Sequence, residues 1–285
     1  MGNNFLLSYF LNLLPRIIVI FLLTFFICWF AFIYNKKKSK KQIEDASLPI
    51  IIVLLLLYFF VPDLFHRSEI IFFIFIAVSS MMSIILSKHK FYLVIHFLFL
   101  PFFVFFSLVM ENGLYVLPHT ILWTIIITVI IWILYFIKDI DGLLVGYVII
   151  NSILMLPGVK VKLEFDTQFK FTLIFSAVLM GLLLWNRKPA RIKIGPYGSD
   201  LISFIFASFI FRLSNYCNVS MKFFPIILVL PAIDVIYSVI NSIKTKKWVT
   251  LSDLLIKNAD VGRKFISAMY IIQTFLVLLW LKYTV

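Results

Sequence analysis

The chain has 285 residues, of which 63% are hydrophobic and 14% charged, and it carries a formal net charge of +13. A water-soluble domain has too little interior to bury so much apolar side chain, so this composition excludes soluble proteins. The two cysteines, Cys28 and Cys217, exclude a disulfide framework and a zinc cluster.

Long apolar runs predict an all-α polytopic membrane protein with short loops, built as a single integral membrane domain over residues 1–285. Residues 5–14 precede Pro15 and either extend the first helix across a kink or lie in the membrane interface. We predict about ten transmembrane helices, at about 16–34, 49–65, 69–87, 91–109, 120–137, 142–158, 171–186, 199–214, 223–243 and 265–283.

The Lys and Arg residues lie mainly in alternate loops, and the positive-inside rule places those loops in the cytoplasm. This predicts a multi-pass protein of the inner, cytoplasmic membrane with both termini outside. We expect contacts with membrane lipid and no nucleic-acid partner. The Lys and Arg residues are distributed according to the side of the membrane on which each loop lies, and they do not form one surface with aromatic residues between them. The basic loops are 35–48, 88–90, 138–141, 187–197 and 244–264.

Two carboxylates, Asp139 and Asp141, follow the predicted fifth helix in the segment KDIDGLLVG, next to Lys138 and Gly142. Carboxylates at a membrane boundary can bind a hard cation, or position a phosphate through one. A solvated turn explains the same residues equally well, so both interpretations stay open.

The segment RKPARIKIGPYGSD places basic residues before a glycine turn that opens the predicted eighth helix. Free N–H groups and the helix dipole at such a start favour an anion, so the segment suits a phosphate. An ordinary basic loop with a turn is the alternative. We expect Asp200 to lie in the first turn and to support the dipole.

Some ionisable residues lie inside predicted spans. A lone carboxylate in a membrane is costly, so Asp234 is expected to face the bundle interior and a partner, and a functional role is favoured. Arg212 is expected to snorkel, and a hydrogen bond to a neighbouring helix is enough to explain His96.

In chain order, three segments resemble the polyprenyl-phosphate N-acetylhexosamine-1-phosphate transferases, the glycosyltransferase group 4 family of bacterial cell-envelope synthesis. LYFIKDIDGLLVG resembles the family's N-x-x-D-G-x-D-G-L-x-x-G segment, and RIKIGPYGS resembles K-I-F-M-G-D-x-G-S. LPAIDVIYSVINSIKTKK resembles the P-x-x-D span with its basic exit. The resemblance covers most of the chain from about residue 70.

The resemblance implies a reaction at the cytoplasmic face, in which a sugar 1-phosphate passes from a UDP-sugar to polyprenyl phosphate, usually with Mg²⁺. It implies catalytic roles for Asp141 and Asp234, and metal ligation by Asp139 and Asp141. The residues implied to bind substrate or phosphate are Lys90, Lys138, Arg191, Lys193, Gly195, Gly198 and Ser199.

Several family carboxylates are replaced. Lys138 takes the place of the first Asp of the D-G-x-D-G segment, Pro196 that of the Asp in the next motif, and Met82 and Ser83 those of a paired Asp. An ammonium group in a ligand position repels a cation, so we expect impaired metal-dependent chemistry.

The function therefore has a first interpretation and two alternatives. The first is a divergent sugar-1-phosphate transferase. The second is a non-catalytic relative that binds a lipid phosphate or a membrane partner, with a homodimer left open. A small-molecule transporter is the least favoured, because the sequence shows no internal repeat.

Overall fold

In the computed structural model, the described residues are 3–37, 47–60, 71, 74–75, 89–112, 117–138, 142–155, 165–187, 190–217, 224–245 and 259–284. Side chains are described for residues 13–34, 49–57, 71, 74–75, 98–110, 117–135, 137–138, 142–155, 169–187, 190–214, 226–244 and 264–279. The helices within these ranges are α1 (Asn3–Lys37), α2 (Ser47–Phe60), α3 (His89–Asn112), α4 (Leu117–Phe136), α5 (Leu143–Met155), α6 (Phe165–Asn186), α7 (Gly195–Cys217), α8 (Phe224–Thr245) and α9 (Ala259–Thr284).

Four helical segments of the described chain are long and apolar enough to cross a membrane: Leu13–Tyr34, Leu117–Tyr135, Phe169–Asn186 and Ile226–Lys244. Together with the shorter apolar helices, they confirm the prediction of an all-helical polytopic membrane protein. The count of ten stays a prediction, because most of the predicted span 69–87 lies outside the described residues.

The first helix continues without interruption through Pro15. Residues 5–14 therefore extend α1, which was one of the two alternatives left open by the sequence. Several aromatic side chains toward the other end of α1 are exposed, as on a helix face that meets lipid: Phe26, Trp29, Phe30 and Tyr34.

Helix α7 forms the centre of the bundle. Every side chain from Tyr197 to Leu213 is buried, and the helix packs against α2, α4, α5 and α6. A membrane helix that carries a carboxylate and a guanidinium is favoured in the bundle interior over the lipid-facing surface. Its polar residues consequently lie in the protein interior.

Two expectations about α7 were wrong for this reason. Arg212 does not snorkel: it is 0% exposed, and its guanidinium carbon lies 5.2 Å from the ring centroid of Phe171 on α6. Asp200 lies beyond the first turn and is buried. Neighbouring helices cover both side chains before they can reach the membrane surface.

The directions of the helices follow from contacts along their lengths. Helices α6 and α7 are antiparallel, because a short connection joins Asn186 to Gly195 while Phe171 meets Arg212 at the far end. Helix α4 is also antiparallel to α7, because the ring of Trp123, near the start of α4, lies 5.0 Å from the ring of Phe211, near the end of α7. The end of α4, the end of α6 and the start of α7 therefore share one end of the bundle.

Helix α1 reaches the same end. It runs parallel to α6, because Thr24 lies against Gly181, and Phe32, two turns later, lies 5.6 Å from Trp185. The sequence of α1 then leads into the lysine run at residues 36–41.

Candidate functional site

The turn before α5 is fixed from two sides at Gly142. This residue has φ of 84°, a left-handed conformation that glycine adopts at little cost. Its N–H donates to Asn186 Oδ1 at 2.8 Å, and its carbonyl accepts the hydroxyl of Tyr270 from α9. The turn that follows Asp139 and Asp141 in the chain is thus held by α6 and α9.

The side chain of Asn186 joins this turn to the basic loop 187–194. While its oxygen accepts from Gly142, its Nδ2 donates to the carbonyl of Ile192 at 2.9 Å. The N–H groups of Arg191 and Ile192 both donate to the carbonyl of Trp185, which folds the loop back over the end of α6. The structure therefore brings two of the three predicted motif segments into one site.

Helix α7 begins at this site, as the sequence predicted. Gly195 is its first residue and has φ of 67°. Gly198 and Ser199 follow and are buried. The hydroxyl of Ser199 has no hydrogen-bond partner among the residues described.

Several cations lie at the same end of the bundle as this helix start, three of them exposed and Lys138 half-buried. We call this part of the molecule the basic end: Lys138, Arg187, Arg191, Lys193 and the first turn of α7. The guanidinium carbon of Arg191 lies 5.8 Å from the ring centroid of Phe32 and 5.7 Å from that of Trp185. Lys138 Nζ lies 3.7 Å from the ring centroid of Tyr135. These aromatic rings restrain two of the cations without neutralising them.

The predicted carboxylates are only partly described. Asp139 and Asp141 lie outside the described residues, as do Met82 and Ser83. Lys90 lies in the first turn of α3, and its side chain is outside the described part. For Asp139, Asp141 and Lys90, the predicted roles stay predictions.

Asp234 is buried on α8, with 4% of its surface exposed, which confirms that it faces the interior. The helix carries it three residues after Pro231, and its backbone carbonyl accepts the hydroxyl of Ser238 at 2.7 Å. This carboxylate sits on a helix outside the two joined segments.

A metal site is not evident in the described ranges, where no three His, Cys, Asp or Glu residues come together in a way that could hold an ion. The chemistry of the turn also works against one, since Lys138 brings an ammonium to a position where the resembling family has a carboxylate. The candidate ligands Asp139 and Asp141 lie outside the described ranges, so Mg²⁺ ligation stays a prediction.

The profile of glycosyl transferase family 4 matches residues 45–214, which is more than half of the chain. The chain belongs to this family. A search of curated proteins found no match. The family 4 match includes the Gly142 turn, Asn186 and most of α7, whereas α1, α8 and α9 lie outside it.

Sequence reasoning missed four polar residues that join helices: Asn186 and Tyr270, which hold the Gly142 turn, and Tyr147 and Gln273, which contact the backbone of α8. Asn186 and Gln273 carried a usable signal, because uncharged amides within apolar helices need partners in a membrane. The two tyrosines carried no such signal, because an aromatic ring is expected in an apolar membrane helix whether or not its hydroxyl has a partner.

Proposed function

We propose that this family 4 member binds polyprenyl phosphate and a UDP-sugar at the basic end, as a divergent sugar-1-phosphate transferase with impaired metal-dependent chemistry. The observation that carries the proposal is Asn186, which joins the Gly142 turn to the basic loop by two hydrogen bonds. The site is therefore built as one unit, in a segment that matches the family.

We assign the cations of the basic end to phosphate binding. Arg191 offers a planar fork of donors that suits phosphate oxygens, and the flanking rings of Phe32 and Trp185 hold it at the end of two membrane-spanning helices. Lys193, Lys138 and Lys90 add positive charge. Gly195, Gly198 and Ser199 form the helix start, where backbone N–H groups favour an anion.

The proposed transfer joins an oxygen of the lipid phosphate to the phosphorus that carries the sugar, while the bond from that phosphorus to UMP breaks. Asp141 and Asp234 are the carboxylates assigned to this step. Because Lys138 does not suit a divalent ion, we propose that the cations neutralise part of the phosphate charge and that turnover is slow.

The second candidate is a non-catalytic relative that uses the same cations to hold a lipid phosphate or a membrane partner, a second copy of the chain included. Lys138, at the position of a family carboxylate, favours this second candidate, because a positive charge that repels a metal ion can still bind an anion. The transporter alternative gains no support from the buried, closely packed α7.

The finer topology is also part of the proposal: ten spans, both termini outside, and residence in the inner membrane. Reporter fusions after Arg191 and after Lys257 test it. Cytoplasmic signals from both support this orientation, and an external signal from either one overturns it.

A product assay tests the function. Purified protein is incubated with undecaprenyl phosphate and a panel of UDP-sugars, with and without Mg²⁺. Slow formation of lipid-linked sugar supports the divergent transferase, and lipid binding without product supports the non-catalytic relative. Exchange of radiolabelled UMP with UDP-GlcNAc that depends on both Asp141 and Mg²⁺ contradicts impaired metal chemistry.

A further inference from the structure

Helix α8 contains a proline within the membrane, at Pro231. Proline has no N–H, so the carbonyl four residues earlier, that of Ile227, loses its donor within the helix. Ile227 is 0% exposed, so water cannot replace the lost hydrogen bond. A carbonyl left unsatisfied in an apolar interior is costly, and another part of the protein has to supply the donor.

Tyr147 of α5 supplies it. Its hydroxyl donates to the carbonyl of Ile227, and its side chain is 0% exposed. Next to this contact, Gln273 of α9 donates to Asn151 Oδ1 at 2.6 Å and lies 3.4 Å from the carbonyl of Ile226. Two helices thus hold the interrupted turn of α8 through its backbone.

Both candidate carboxylates lie close in sequence to this contact. Asp234 follows Pro231 by three residues on α8, and Gly142, next to Asp141, precedes Tyr147 by five residues. At the helical rise of about 1.5 Å per residue, Asp234 lies roughly 10 Å along α8 from Ile227, and Gly142 lies roughly 7 Å along the chain from Tyr147.

We propose that Tyr147 is a positioning residue that replaces the hydrogen bond missing at Pro231 and so fixes Asp234 relative to the Gly142 turn. Its relevance to catalysis rests on the proposed function, in which Asp234 belongs to the site. The contact reaches from the matched family segment into α8, which lies outside the match.

A double-mutant cycle separates this role from simple packing. Tyr147→Phe removes the hydroxyl and keeps the ring. Pro231→Ala restores an N–H that can bond to the carbonyl of Ile227 within the helix. If the hydroxyl acts by replacing that bond, Tyr147→Phe has a large effect when Pro231 is present and almost none in the Pro231→Ala background.

The readout is the rate at which dicyclohexylcarbodiimide labels Asp234 in the full-length protein in lipid nanodiscs, measured by mass spectrometry. Labelling of Asp200, a buried carboxylate on α7, serves as the internal reference. Tyr34→Phe, at an exposed position on α1, is the matched control and is expected to leave the rate unchanged.

We expect Tyr147→Phe to raise the labelling of Asp234 about tenfold, because one buried hydrogen bond no longer opposes opening of the turn. The increase disappears in Tyr147→Phe/Pro231→Ala. An unchanged rate in Tyr147→Phe, or the same increase in both backgrounds, overturns the proposal. If Tyr147→Phe does not fold, recovery of folded protein in the double variant supports it, and failure to recover overturns it.

The labelling needs no substrate, so it is independent of the proposed function. Formation of lipid-linked sugar by the same variants tests the catalytic part separately. Slower product formation by Tyr147→Phe supports a place for Asp234 in the site. An unchanged rate with increased labelling removes Asp234 from the site and leaves the positioning role standing.

Discussion

The Gly142 N–H and Asn186 Oδ1 are 2.8 Å apart, although 44 residues separate them in the chain. This bond and the one from Asn186 to Ile192 place the turn after Asp141 beside the loop that carries Arg191. The family match contains all of these residues.

Replacing Asn186 by alanine should loosen the site. The change leaves the buried N–H of Gly142 and the carbonyl of Ile192 without their partner, at a cost of about 2–4 kcal/mol together. We expect a lower unfolding temperature in detergent and weaker binding of lipid phosphate. Ser208→Ala is the control, because that buried hydroxyl has no hydrogen-bond partner among the described residues. Equal stability of the two variants contradicts this role for Asn186.

The two glycines at the start of α5 are needed for different reasons. Gly142→Ala adds a side chain at φ of 84°, where its Cβ meets other atoms only at ordinary contact distance, so it should cost about 1 kcal/mol of backbone strain. Gly146→Ala instead pushes a methyl group into the ring and hydroxyl of Tyr270.

Removal of the Tyr270 ring distinguishes these cases. We expect Tyr270→Ala to relieve most of the destabilisation caused by Gly146→Ala and none of that caused by Gly142→Ala, measured as unfolding temperatures in a double-mutant cycle. Additive effects at Gly146 show that the close contact does not limit stability.

Helix α1 should loosen when Gly181 is enlarged. An added Cβ at Gly181 lies 2.8 Å from Thr24 Cβ and 2.9 Å from the backbone oxygen of Phe21, so α1 has to move. Cys28 on α1 is buried and reports this movement. In a Cys217→Ser background, we expect N-ethylmaleimide to label Cys28 faster in Gly181→Ala than in Gly146→Ala. Identical rates contradict the tight packing of α1 on α6.

Much of this fold follows from the sequence, because apolar runs specify membrane helices and glycine marks the start of α7. The burial of Asp234 follows from the cost of a charge in lipid. The contacts of Tyr147 and Tyr270 do not, since they join residues 80 and 128 positions apart. Periodicity within one helix carries no information about such partners, and the enclosure of Arg212 likewise depends on which helices surround α7.

Arg191 should matter through its shape as well as its charge. Arg191→Lys keeps one positive charge but loses the planar group that lies near Phe32 and Trp185. We expect the lysine variant to bind lipid phosphate about threefold more weakly, and Arg191→Ala about tenfold more weakly. Titration of nanodiscs with undecaprenyl phosphate measures this. Full affinity in Arg191→Lys means that charge alone is sufficient.

The phosphate site at the basic end is tested most directly by binding of undecaprenyl phosphate to the purified full-length protein, with undecaprenol as the ligand that lacks phosphate. We expect saturable binding of the phosphate form, little binding of the alcohol, weaker binding by Arg191→Ala, and no change when EDTA removes Mg²⁺. Equal binding of both lipids, or the same affinity in wild type and Arg191→Ala, contradicts a phosphate site at the basic end.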